Sequence, residues 1–186
     1  MNKILGKLCV IIGPSGSGKD TLISGAKLLL NNEKRYVFAQ REITRPQTDH
    51  VEDHIEISKN EFKQKDLANE YSLSWVANGL RYGVTRIDEY MNQEKFIVLN
   101  GSRGALKDIR RKYKDAVIIQ VEVPTKLLRE RLLSRGREDS LEMDARLARG
   151  VALKILDPTV INFTNDKPIQ ESINEFVAIL RNLSNH

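Results

Sequence analysis

Residues 13–21, Gly13-Pro14-Ser15-Gly16-Ser17-Gly18-Lys19-Asp20-Thr21, constrain this chain most. They follow the apolar run Leu8-Cys9-Val10-Ile11-Ile12 and precede Leu22, Ile23, Ala26, Leu29 and Leu30 at helical spacing. The pattern predicts a strand, a glycine-rich loop and an amphipathic helix. Glycines let the backbone turn inward, so that successive amide N–H groups and the helix N-terminus converge on a phosphate chain. Lys19 then reaches the outer phosphates. A turn without chemistry would explain the glycines but not a lysine at this place. All nine residues are therefore candidate nucleotide ligands, with Lys19 also catalytic.

One position departs from the usual motif. Directly after the lysine a Ser or Thr hydroxyl ordinarily holds Mg²⁺, and here Asp20 stands there with Thr21 next. A carboxylate is a good hard-oxygen ligand, directly or through a metal-bound water, and Thr21 is then left to donate to a phosphate. An aspartate at a helix start is equally a common N-cap. Both roles stand open for Asp20.

At 186 residues the chain fits one domain with a small inserted lid. With 40% hydrophobic and 30% charged residues it reads as a soluble globule. No apolar run is long enough for a bilayer, and Met1 to Lys7 lacks the apolar core of a signal peptide, so a cytoplasmic protein without a membrane partner is expected. Cys9, the single cysteine, lies inside the first strand and reads as a small core residue. The net charge of +5 comes with arginines near glycines and turns, not in a polybasic run with interleaved aromatics. That favours small phosphorylated ligands over nucleic acid. A homodimer is left open.

Beyond the first helix, Tyr36 to Ala39 reads as a strand, and Arg41 to Arg45 as an extended arm ending at Pro46. In an extended chain Arg41, Ile43 and Arg45 share one face. Ile55-Glu56-Ile57 is a short strand, and Ser58 caps a helix from Lys59 to Lys65. Leu73-Ser74-Trp75-Val76 and Arg81-Tyr82-Gly83-Val84 flank an Asn78-Gly79 hairpin signal. Small antiparallel strands thus interrupt an α/β rhythm. That rhythm resumes with a helix near Arg86 to Asn92, strand Phe96 to Leu99, a helix carrying Leu106, Ile109 and Tyr113, strand Ala116 to Val123, a helix from Pro124, strand Val160 to Thr164, and a final helix from Ile169.

Cradle, insert and an arginine-rich helical hairpin (Arg129, Arg131, Arg135, Arg137, Arg146, Arg149) are the parts phosphoryl transfer needs. Of these arginines, Arg135, Arg137, Arg146 and Arg149 are the candidates to face phosphates, since a planar fork binds their oxygens bidentately. His50, His54 and His186 form no ligand cluster, and no carboxylate–histidine pair suggests a general base. A phosphate acceptor needs none, because its oxygen is already ionised.

With these parts in place the chain resembles the guanylate kinases over nearly its whole length. The likeness rests on residues 13–19, Ile43-Thr44-Arg45-Pro46, Asp53 to Ser58, Trp75 through Tyr82-Gly83, Arg135-Gly136 and Asn165-Asp166. It implies an α/β P-loop NTPase fold: a three-layer sandwich with a parallel sheet, a small antiparallel acceptor-binding insert and a helical lid. The core would occupy residues 1–40 and 85–186, with the lid at about 135–150 and the insert at about 41–84. It also implies that Arg45 and Tyr82 hold the acceptor phosphate, that Arg135 and Arg146 act catalytically from the lid, and that Asn165 lies near the adenine of ATP.

The departures bear on the substrate. Arg41 stands where guanylate kinases read guanine with a Ser, Ser74 replaces a guanine-binding Glu, an acidic motif becomes Asn100-Gly101-Ser102-Arg103, and Gln47 lies near the place of a second phosphate-binding Arg. Each lost hydrogen bond costs about 1–3 kcal/mol, so together they should abolish guanine recognition. This variant pattern, with Gly18-Lys19-Asp20 and Arg135-Gly136-Arg137-Glu138, resembles the ribose 1,5-bisphosphate phosphokinases, a guanylate-kinase-like family associated with phosphonate breakdown. The resemblance implies transfer of a phosphoryl group from ATP, with Mg²⁺, to the 1-phosphate of ribose 1,5-bisphosphate. The 5-phosphate is then expected at Arg41 and Arg103, and ribose hydroxyls at Asn78 and Asn100, although either asparagine fits a turn equally well. An ordinary nucleoside monophosphate kinase and a non-catalytic phosphopeptide-binding module are the competing readings; the missing guanine ligands weigh against the first and the intact Lys19 against the second.

Overall fold

The computed structural model describes residues 6–45, 54–133 and 157–185. The chain begins with strand β1 (Lys7–Ile12), apolar except at its first residue and buried from Leu8 onward. Such a strand is stable only when both faces are covered. It takes the centre of a five-stranded sheet with β2 (Tyr36–Ala39), β7 (Phe96–Asn100), β8 (Val117–Glu122) and β9 (Val160–Thr164), in the order β2-β7-β1-β8-β9. Every pairing in it is parallel.

Side-chain alternation along these strands divides the core in two. Cys9, Ile11, Val98 and Ile119 meet helices α1 (Lys19–Leu29) and α6 (Ile169–Ser184), which cover one face. Leu8, Val10, Ile12, Ile97 and Leu99 meet α3 (Ile87–Asn92), α4 (Leu106–Lys112) and the insert on the other. Helix α5 (Thr125–Leu133) follows β8. The expected three-layer α/β sandwich is the observed one.

The insert is a second sheet of four strands, β3 (Arg41–Ile43), β4 (His54–Glu56), β5 (Leu73–Ala77) and β6 (Leu80–Val84), with α2 (Lys59–Leu67) against it. It is mixed, not wholly antiparallel as the sequence suggested. β6 runs antiparallel to β3 and β5, whereas β4 runs parallel to β3. A two-residue turn forces antiparallel pairing; the longer connection between β3 and β4 does not. Ser58 and Glu61 form the reciprocal cap that starts α2. Asn78 and Gly79, at φ 51° and 75°, make the tight turn of the β5–β6 hairpin.

Glu42 fastens α2 to this sheet. Its buried carboxylate accepts from Lys65 Nζ at 2.7 Å and from the Tyr71 hydroxyl at 2.6 Å. Burial, reinforced by that hydrogen bond, pushes the Tyr71 phenol above its usual range.

Candidate functional site

The C-terminal ends of parallel strands are where α/β sheets bind ligands, and the loop after β1 lies there. Its path is fixed by the backbone. A Cβ on Gly13 would lie 2.5 Å from the Val121 carbonyl oxygen, so the loop leaves β1 too close to β8 for any side chain. The Ser17 N–H donates to the Pro14 carbonyl at 3.2 Å. Gly18, left-handed at φ 86°, is the N-cap of α1. Lys19 bends back across the loop, its ammonium donating to the carbonyls of Gly13 and Pro14 at 3.0 Å each.

Asn165, buried beyond the end of β9, donates through Nδ2 to the Ser17 carbonyl at 2.7 Å. It pins the loop to the sheet. Leu128 and Leu132 of α5 press on the loop at Gly16.

Asp20 is not the cap of α1. The cap is Gly18, two residues earlier, which makes no side-chain capping bond. Instead, Asp20 Oδ1 accepts from Asn100 Nδ2 at 2.6 Å and lies 4.0 Å from a guanidinium nitrogen of Arg41. The other amide atom, Asn100 Oδ1, is buried without a hydrogen-bond partner. A carboxylate beside an unpartnered amide oxygen is a hard-oxygen pair that fits Mg²⁺.

Arg41 opens β3 with only 6% of its surface exposed. Its guanidinium lies 5.8 Å from the centre of the Tyr82 ring, and Tyr82 stacks on Trp75 at 5.3 Å with 4° between the planes. Arg41, Asp20 and Asn100 line one cavity with Ser24, Lys27 and Gln40. Arg103 lies in a short 3₁₀ turn after β7, packed against β5. Burial lowers the pKa of its guanidinium, and a nearby anion would offset that cost.

The structure therefore brings Asp20, Arg41 and Asn100 to one cavity, with Lys19 next to Asp20 at the start of α1 and Tyr82 beside Arg41. Arg45 is half-buried just beyond β3, next to Thr44, which pairs with Arg81. Asn78 is exposed at the hairpin tip and does not line the cavity. Ser74 donates to Asp66 at 2.9 Å. Arg135, Arg137, Arg146, Arg149 and the lid at about 135–150 lie outside the described residues.

Ser24 and Lys27 escaped the sequence reading, and Arg131 was counted among the hairpin arginines without a place at the loop. Ser24 and Lys27 follow Asp20 by four and seven positions, which is one helical stripe and was legible as such. Arg131, one residue before Leu132, brings its guanidinium to 3.8 Å from where a Cβ on Gly18 would sit. Its signal was weak, because it stood among five other arginines.

Residues 5–156 match the guanylate kinase family model. The chain is 42% identical over 168 residues to a protein named ribose 1,5-bisphosphate phosphokinase PhnN from Desulfomicrobium baculatum, covering 90% of both chains. It belongs to the guanylate-kinase-like ribose 1,5-bisphosphate phosphokinase family. A bifunctional ribose 1,5-bisphosphokinase-thymidine phosphorylase from Cupriavidus pinatubonensis is 35% identical over 97% of this chain, which spans 30% of that longer protein. In fold the family member described here is similar to the guanylate kinase of Anaplasma phagocytophilum, with a TM-score of 0.67 at 18% identity over 99% of this chain and 89% of that one. Membership of a P-loop kinase family implies the use of a nucleotide and a metal ion. No helix among the described residues is long and apolar enough to cross a membrane.

Proposed function

We propose that this protein transfers the γ-phosphoryl group of ATP to the 1-phosphate of ribose 1,5-bisphosphate, giving ADP and 5-phosphoribosyl 1-diphosphate. The observation that carries the proposal is Arg41, a nearly buried guanidinium on the acceptor side of the cradle, 4.0 Å from Asp20. A cation there suits a second phosphate, and it stands where the resemblance has guanine read by a serine hydroxyl.

In this mechanism the loop amides and Lys19 hold the triphosphate, and Asn165 keeps the loop in shape behind it. Arg45 and Tyr82 hold the 1-phosphate. Arg41 and Arg103 take the 5-phosphate, and Asn100 is the candidate for the ribose hydroxyls; Asn78, at the hairpin tip away from the cavity, keeps its role in the turn. An ionised 1-phosphate oxygen attacks the γ-phosphorus in line as the bond to the ADP oxygen breaks, so no general base is required. Magnesium, when bound, spreads the charge of the transferring group; Asp20 and Asn100 are the residues to hold it. Arg135 and Arg146 are assigned to the lid from family resemblance. The reaction belongs in the cytoplasm, on a small dissolved sugar phosphate, with neither nucleic acid nor membrane as partner, and a homodimer is compatible with it.

Phosphorus NMR with Mg-ATP and either ribose 1,5-bisphosphate or GMP tests the proposal. A new diphosphate signal with the sugar alone is expected. Turnover of GMP alone returns the chain to guanylate kinase activity.

A further inference from the structure

The oxygen Asp20 Oδ1 serves two partners. It accepts from Asn100 on the sheet, and it is the carboxylate oxygen set beside Arg41 of the insert. Asp20 belongs to the nucleotide side, on α1, and its carboxylate is about a third exposed, whereas the Arg41 side chain is 7% exposed. A buried guanidinium requires a neighbouring anion. A carboxylate that supplies it competes with any anionic acceptor for the same fork, and a cation arriving at the carboxylate competes with Arg41 in turn.

We infer that Asp20 is a positioning residue for the acceptor: it holds Arg41 until a metal–nucleotide complex engages its carboxylate, and Arg41 then turns to the second phosphate of the sugar. This rests on the function proposed above. The two competitions in series make metal–nucleotide and acceptor favour each other's binding, and the coupling is reciprocal. Asn100 sets the geometry, since its amide fixes the orientation of the carboxylate that is shared. Trp75 reports the event, being the chain's only tryptophan and stacked on the ring beside Arg41.

Calorimetric titration of ribose 1,5-bisphosphate into the full chain tests the coupling, with no nucleotide, with the non-hydrolysable analogue AMPPNP plus Mg²⁺, and with AMPPNP plus EDTA. The sugar's Kd is expected to tighten about tenfold with Mg-AMPPNP, within the usual range for coupled sites, and to stay unchanged with EDTA. Asp20→Asn, nearly isosteric, should bind the sugar without nucleotide as tightly as the wild type does with Mg-AMPPNP, and show no further gain. Mg-AMPPNP alone should shift Trp75 emission in the wild type and leave it unchanged in Asp20→Asn. Equal wild-type affinity under all three conditions overturns the coupling while leaving the proposed function standing; so does a tenfold gain that persists in Asp20→Asn. Binding of GMP and of no sugar bisphosphate under any condition overturns both.

Discussion

The nucleotide cradle and the acceptor insert are built by opposite means. In the cradle as proposed the backbone does most of the recognising: Gly13 lies against the Val121 carbonyl, Gly18 turns left-handed, Asn165 fastens the loop, and Lys19 is the side chain assigned to the phosphates. In the insert the backbone is a plain mixed sheet, and the recognition proposed above falls to side chains, Arg41 and Tyr82 with Trp75 stacked behind, while the buried Glu42 on the other face only fastens α2. A site made of main chain binds phosphate and little else. A site made of side chains can change its substrate without changing its fold, as the proposed arginine in place of a guanine reader would on a guanylate-kinase architecture.

The sharpest way to break this division is Lys19→Ala. Removing one preorganised cation from the transferring phosphates should lower kcat by about 10²–10³. Sugar binding measured by calorimetry without nucleotide should be unaffected. Loss of sugar binding in the same variant would show that Lys19 serves the acceptor site as well as the cradle.

Arg41→Ala is the mirror experiment. Losing a charge-assisted contact of about 1.5–3 kcal/mol should raise the KM for the sugar bisphosphate by about tenfold to a hundredfold. The KM for ATP should move by much less. Equal changes in both would remove Arg41 from the acceptor site.

Glu42→Gln tests the insert's framework and leaves its binding face intact. Glu42 points away from Arg41 along β3, and its carboxylate joins Lys65 to Tyr71. The amide cannot accept both bonds at full strength, so about 1–3 kcal/mol of stability should be lost in urea unfolding. A similar loss from Glu42→Ala would show that the amide supports neither bond.

Much of this was readable from the chain. The cradle was legible because its function requires glycines and a lysine at fixed spacing, and a backbone site announces itself through residues that lack side chains. Arg41 was legible as a departure from a pattern. Its partnership with Asp20 was not, because residues twenty-one apart meet only once the C-terminal ends of β1, β2 and β7 are brought together. The parallel pairing of β3 and β4 was hidden too, since a short strand carries no signal of its direction. The Asp20 cap failed for a local reason: the left-handed Gly18 already starts the helix two residues earlier.

The smallest expected effect lies on the core side, at a half-buried pair that contrasts with the buried Glu42. Arg110 of α4 and Thr159 hold Asp157 just before β9. Hydrogen bonds from Thr159, and then Arg110, lower the Asp157 carboxyl from 3.8 to about 2. A carboxyl depressed on folding stabilises the native state fully above its unfolded value, and that share is lost as the pH falls through the folded one. The Tm difference between wild type and Asp157→Asn should therefore be constant above pH 3.8 and close progressively toward pH 2. A gap for Asp157→Asn that persists unchanged at pH 2 would mean that the shape of the turn, and not the charge, fastens β9 to the core.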